Sequence, residues 1–105
     1  MVNIAVLGYG TVGSGVVEVI KTNQAIVNKN AGDEINVKYV LDLREFPGDP
    51  VENILVHDFN TILEDEDVKI VVEVMGGTGA AYKFVKESLL AGKSVSDLQN
   101  QQVMQ

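Results

Sequence analysis

Six residues near the start of the chain, Gly8-Tyr9-Gly10-Thr11-Val12-Gly13, restrict its fold more than any other feature. They match G-x-G-x-x-G, a pattern that means little until its flanks are read. Before it, Asn3 to Leu7 is short, rich in Ile and Val, and reads as a buried strand that stops at Gly8. After it, Val12, Val16, Val17 and Ile20 recur at helical spacing from Thr11 into the low 20s. Strand, glycine turn and helix in that order suit a dinucleotide-phosphate loop. Gly8 would permit the tight turn, Gly10 would let a pyrophosphate approach the backbone, and Gly13 would let helix pack closely on strand. The phosphates would meet unpaired N–H groups at the positive end of the helix dipole. Gly13 and Gly15 fall in the first helical turns, where each costs roughly 1 kcal/mol against alanine, so something other than helix propensity keeps them there. The bland alternative is a glycine turn with no ligand.

Thr22 to Glu34 is polar and reads as a frayed helix end followed by a surface loop. Ile35 to Leu41 fits a second strand, with Ile35, Val37, Tyr39 and Leu41 alternating against Asn36 and Lys38. Phe46-Pro47-Gly48-Asp49-Pro50 breaks the chain, and Ile54-Leu55-Val56 is a short third strand. Asn60 or Thr61 can cap a brief helix through Leu63, shortened by the acidic run Glu64 to Asp67 at its far end. Ile70 to Met75 is the most apolar run, as a central parallel strand would be. Thr78 can cap the next helix, with Ala81, Phe84, Val85 and Leu89 on its buried face and Gly92 as its C′ residue. Ser94-Val95 begins a last strand, and Asp97 to Gln105, with four glutamines, reads as a tail. The alternation predicts an α/β fold: a Rossmann-type doubly wound parallel sheet of about five strands. It forms a single domain over residues 1–96, with a polar tail at 97–105.

Asp42, just past the second strand, stands where this fold reads the adenosine ribose. Its carboxylate would accept from both ribose hydroxyls and favour NAD, whereas Arg44 can pair with the 2′-phosphate of NADP. The cofactor is therefore NAD or NADP, and the two charges can also be read as a solvated loop. Glu73 is the odd residue in an apolar strand, where its carboxylate must be hydrogen-bonded or paired, and a structural role outweighs a catalytic one. Gly76 and Gly77 end that strand where a nicotinamide or its ribose would lie. His57, the only histidine, is expected to point to solvent without a partner. No catalytic residue and no metal ligand is assigned.

The formal charge of −7, with eight basic residues against fifteen acidic ones, argues against a nucleic-acid partner. No apolar run approaches the roughly 20 residues that cross a bilayer, so no membrane partner is expected either. Cysteine is absent, and no basic stretch precedes the first apolar run, which points to the cytoplasm.

Ile4 to Gly15, Val71-Val72-Glu73-Val74-Met75-Gly76-Gly77, Ala81-Tyr82 and Leu90-Ala91-Gly92-Lys93-Ser94-Val95 together resemble, in order and spacing, the amino-terminal part of homoserine dehydrogenases. The resemblance implies an oxidoreductase that interconverts L-homoserine and L-aspartate 4-semialdehyde with NAD(H) or NADP(H), in threonine and methionine biosynthesis. It implies that Gly10, Thr11 and Val12 line the cofactor phosphates, with Gly76, Gly77 and Thr78 nearer the nicotinamide. The chain departs from the family in three places. Gly79-Ala80 stands where the family usually has Glu-Pro. Ser96 to Asn100 replaces a Thr-x-Asn-Lys segment whose lysine lies by the active site. The family also carries a substrate and dimerisation domain, which the chain is expected to lack as a fragment, a truncated product or a degenerate copy, binding a cofactor without turning over. Alternatives are a non-catalytic nucleotide-binding regulatory module, the cofactor domain of another amino-acid or semialdehyde dehydrogenase, and a structural partner docking on a full-length enzyme. A homo-oligomer is compatible with each.

Overall fold

The computed structural model describes residues 2–31, 35–75, 79–97 and 102–104, with the backbone alone for 23–31, 97 and 102–104. Strand β1 (Val2–Leu7) leads into helix α1 (Thr11–Ala31) and returns as β2 (Ile35–Leu41). A 3-10 turn (Pro50–Asn53), β3 (Leu55–Val56) and α2 (Phe59–Leu63) follow, then β4 (Val68–Glu73), α3 (Gly79–Leu90), β5 (Ser94–Asp97) and β6 (Gln102–Met104). The sheet runs β3-β2-β1-β4-β5-β6, and its first five strands are parallel. This is the Rossmann-type doubly wound arrangement expected of the alternating pattern.

Both faces of the sheet are covered, which is why residues 4–7 of β1 and 70–72 of β4 form unbroken apolar stretches. On one face Ile4, Val6, Val37, Val40, Val72 and Val74 pack with Val17 of α1. On the other, Ala5, Leu7, Leu41, Val71 and Val95 pack with Phe59 and Ile62 of α2, while Phe84, Val85 and Leu89 of α3 close over them.

The structure corrects the alternation read in β2. Opposite β1, Ile4 pairs with Val37 but Ala5 pairs with Tyr39, so Lys38 is an extra residue in the ladder. The faces exchange there. Val37 and Val40 share one core, while Tyr39 and Leu41 join the other. The displaced Lys38 and the Tyr39 hydroxyl both reach Asp65, at 2.6 Å and 2.7 Å. Those contacts, Lys38 first, hold the Asp65 carboxyl down to about 2.

Three ends also differ from the sequence reading. Helix α1 runs to Ala31 instead of fraying in the low 20s, because elongation needs no new nucleus and no Pro or Gly intervenes between Gly15 and Gly32. Asp58, not Asn60 or Thr61, caps α2, its carboxylate accepting from the Asn60 amide at 2.9 Å. In the segment read as a tail, Asp97 closes β5 and Gln102–Met104 pairs antiparallel with it as a sixth strand. That pairing is carried by the backbone, which satisfies the open edge of β5 whatever the side chains are.

Gly92 behaves as the helix stop it was read to be. Its φ is 84°, its amide donates to Leu89 O and that of Lys93 donates to Ser88 O, both at 3.0 Å. Lys93 then turns inward and donates to the carbonyls of Asp65 and Val68, each at 2.8 Å, tying the start of β5 to the entry of β4. Burial pushes its ammonium pKa down. Among the described residues no helix is long and apolar enough to cross a membrane.

Candidate functional site

The connection after β1 passes to β2 and that after β4 passes to β5, so neighbouring strands β1 and β4 send their chains to opposite sides. A crevice opens outside their carboxyl ends, where open α/β sheets hold ligands. The Gly8-Tyr9-Gly10 turn lies there. Gly8 has φ 104°, a conformation that L side chains rarely adopt, and its amide donates to Leu41 O at 2.7 Å.

The other two glycines are needed for different reasons. A Cβ at Gly13 would sit 2.0 Å from the Gly8 carbonyl oxygen, so α1 approaches β1 as closely as it does only because Gly13 lacks a side chain. A Cβ at Gly10 would meet nothing closer than the Arg44 guanidinium at 3.9 Å, so the fold itself does not demand glycine there. Gly10 O accepts the first helical bond, from Ser14 N at 2.9 Å. The amides of Thr11, Val12 and Gly13 then open the helix with no carbonyl one turn before them. The first turn of α1 carries no acidic side chain. Thr11 and Val12 are exposed, Val12 by 48%.

Against this turn lies a cleft of about 480 Å³. Gly8, Tyr9 and Gly10 form its base, Leu41 to Arg44 and His57 one wall, and Phe59, Met75, Ala80 and Phe84 the other. Gly8, Gly10, Asp42 and Arg44 therefore meet on one surface, as their sequence positions suggested. Gly76, Gly77 and Thr78, assigned to the nicotinamide side, lie outside the described residues.

Asp42 is the electrostatic centre of the cleft. Its side chain is 10% exposed, and that of Arg44 is 63% exposed. Asp42 Oδ1 accepts from the Arg44 amide at 2.9 Å and Arg44 Nε at 3.0 Å, while Oδ2 accepts from Tyr9 N and Arg44 Nη2, both at 2.9 Å. The Arg44 guanidinium holds this carboxyl well below its ordinary 3.8, helped by the two amides and opposed by partial burial. A depressed folded value means stability that is full above the ordinary carboxylate range and lost as pH falls through the lower one. Asp42→Asn should therefore cost about 1 kcal/mol at pH 7, the upper range for a pair with one exposed partner. Urea denaturation should show that difference shrinking once the pH drops below 3.8; a constant gap down to strong acid would refute it.

The sequence reading missed two anchors of this wall. Tyr9 stacks edge-on against Phe46, centroids 4.9 Å apart, and its hydroxyl lies 3.2 Å from Asp49 Oδ1. His57, expected in solvent without a partner, has Nδ1 2.6 Å from Asp42 O and Nε2 2.9 Å from Glu45 Oε1. The first contact, then the Glu45 charge, raises its pKa. The signal lay in the sheet register. Leu41 pairs with Val56, which brings the next residues, Asp42 and His57, side by side. Glu73 is 1% exposed and its carboxylate accepts from the Met75 amide, the structural bonding its position called for. Among the described residues no group of His, Cys, Asp or Glu is arranged to hold a metal ion.

A protein-family model described as homoserine dehydrogenase, NAD binding domain, matches residues 8–97. The homoserine dehydrogenase of Helicobacter pylori is 38% identical over 94 residues, covering 88% of this chain and 22% of that protein. That of Mycobacterium tuberculosis is 38% identical over 99 residues, covering 90% of this chain and 22% of that protein. Among solved structures, a Staphylococcus aureus homoserine dehydrogenase superposes with TM-score 0.85 at 34% identity, over 96% of this chain and 26% of that one. The enzyme from Thiobacillus denitrificans gives 0.77 at 29% identity, over 91% and 23%. The chain thus spans about 22% of the length of the curated relatives it matches.

Proposed function

The chain belongs to the homoserine dehydrogenase family and is an NAD(P)-binding domain of it, and from that premise we propose how it holds its cofactor and what reaction it serves. The pyrophosphate lies across Gly8 to Gly13, facing the amides that open α1, with Gly10, Thr11 and Val12 nearest to it. What supports this is the open face of Gly10, a glycine whose missing side chain nothing in the protein's own packing requires. The adenosine ribose is read by Asp42 or, where it carries a 2′-phosphate, by Arg44. Gly76, Gly77 and Thr78 border the nicotinamide. When bound, the nicotinamide supplies hydride transfer, and the reaction served is the interconversion of L-homoserine and L-aspartate 4-semialdehyde. On this reading the protein works in the cytoplasm with a dinucleotide, and not with nucleic acid or membrane.

The 105 residues alone are expected to bind without turning over. Hydride transfer needs substrate and nicotinamide held at near-attack distance, and such positioning accounts for roughly 7–11 kcal/mol of a barrier. The family's active-site lysine would fall near Asn100, which can neither carry charge nor act as an acid and lies outside the described residues. Fluorescence titration with NADH and NADPH should give saturable binding of at least one. Addition of L-homoserine with the oxidised cofactor should then give no absorbance growth at 340 nm scaling with protein, on the order of the buffer rate. Absence of binding would sink the cofactor assignment, and protein-dependent turnover would sink the division of labour.

A further inference from the structure

We propose that Arg44 is a latch on Asp42 that handicaps a cofactor with a free 2′-hydroxyl and is released by one carrying a 2′-phosphate. The inference rests on the cofactor reading above and adds to it a competition inside the protein.

An ionised carboxylate offers about four acceptor positions. Asp42 has four donors on it at 2.9–3.0 Å: the amides of Tyr9 and Arg44, and the Nε and Nη2 of the Arg44 side chain. The two amides belong to the turn and the loop and stay where they are. A ribose diol brings two O–H donors, the number that the guanidinium supplies. It can reach Asp42 only by displacing Arg44 into water, and it trades a charge-assisted bidentate pair for neutral donors.

A 2′-phosphate meets the same pair differently. It brings acceptors only, so it cannot bind Asp42, but the guanidinium can turn from the carboxylate to the phosphate and keep a bidentate anionic partner. Arg44 is free to turn. Its side chain is 63% exposed, and its guanidinium lies over the Phe46 ring, 5.2 Å from the centroid, a face that can carry it in either position. The loop is not free to follow. The Asp42 carbonyl is held to His57 at 2.6 Å, the Asp42 amide donates to Val56 O at 3.2 Å, and the His57 ring reaches Glu45 at 2.9 Å. The change is therefore confined to one side chain, and cofactor preference is set by which anion holds the guanidinium.

The consequence is a change of opposite sign for the two cofactors. In Arg44→Ala, NADH should bind about three- to fivefold more tightly, the gain from removing an exposed competing pair. NADPH should bind roughly tenfold more weakly, having lost its partner and gained an uncompensated Asp42 charge. Arg44→Lys, a point charge that cannot bridge both oxygens, should fall between parent and alanine variant for NADH. The experiment is calorimetric titration of the 105-residue parent and both variants with NADH and NADPH, folding being checked by circular dichroism. A loosened fold would weaken both cofactors together, so the opposite shifts are the diagnostic result. NADH affinity unchanged or reduced in both variants, with a parent that binds, overturns the latch and leaves the cofactor site standing. A parent that binds neither dinucleotide overturns both.

Discussion

Gly13→Ala is expected to leave the chain unable to fold stably. The added Cβ would lie 2.0 Å from the Gly8 carbonyl oxygen and 2.9 Å from its carbonyl carbon, and Val74 Cγ2 would be 3.3 Å away. The first two are backbone atoms of a turn already committed to φ 104° and to a hydrogen bond with Leu41, so no rotamer change relieves the contact. The helix must lift off the sheet, which opens the core that Val17 makes with Ile4, Val6 and Val74. A loss above about 4 kcal/mol is expected, against a total of about 5–15 kcal/mol for a domain. Gly15 is the internal control. It lies half a turn further along the same helix with nothing within 4 Å of its would-be Cβ, so Gly15→Ala should raise stability by about 0.5–1 kcal/mol. Chemical denaturation of the three proteins decides the matter. A Gly13→Ala protein with the parent's midpoint would mean that α1 does not rest on β1 as described.

Gly10→Val should do the reverse, keeping the fold and losing the ligand. The nearest atom to a Cβ there is the Arg44 guanidinium at 3.9 Å, the end of a flexible exposed side chain. The fold should lose no more than about 1 kcal/mol, the cost of a β-branched residue at a helix cap. A pyrophosphate lying on that backbone would meet two methyl groups instead of open space, and binding of NAD(P)H should fall by more than about a hundredfold, near 2.7 kcal/mol. Gly10→Ala should lie between. Parent-like affinity in the valine variant, measured by the same fluorescence titration, would remove the pyrophosphate from this turn.

These two variants separate what one motif hides. In sequence Gly10 was read through the pyrophosphate's approach and Gly13 through the packing of helix on strand. The structure divides them: Gly13 answers to a helix packed on a strand, and Gly10 has no such constraint. Gly15 shares the helix and has neither reason, and nothing in the structure explains it.

Much of the architecture was legible because its causes are local. The strand, turn and helix around Gly8 follow from residues adjacent in the chain. The apolar stretches 4–7 of β1 and 70–72 of β4 report burial on both faces. Gly92 ends α3 through a backbone angle that glycine adopts freely. Asp42 and Arg44 were singled out by the same logic, just beyond a predicted strand. What stayed hidden depended on partners distant in sequence. The extra residue at Lys38 that exchanges the faces of β2 exists only opposite β1, and Asp65, 27 positions away, receives the displaced side chain. His57 gained its place on the cleft from the pairing of Leu41 with Val56. A sixth strand arose from backbone bonding that no side-chain pattern reports.

By itself, then, the sequence determined the order of elements as far as β5, the glycine turn and the carboxylate beside it, since each follows from short-range sterics and hydrophobic period. Only the tertiary structure decided that this carboxylate is already occupied. Whether Asp42 stands open or closed depends on where Arg44 lies and on how Tyr9 and His57 fix the loop around it. Those positions come from β1, β2 and β3 lying side by side.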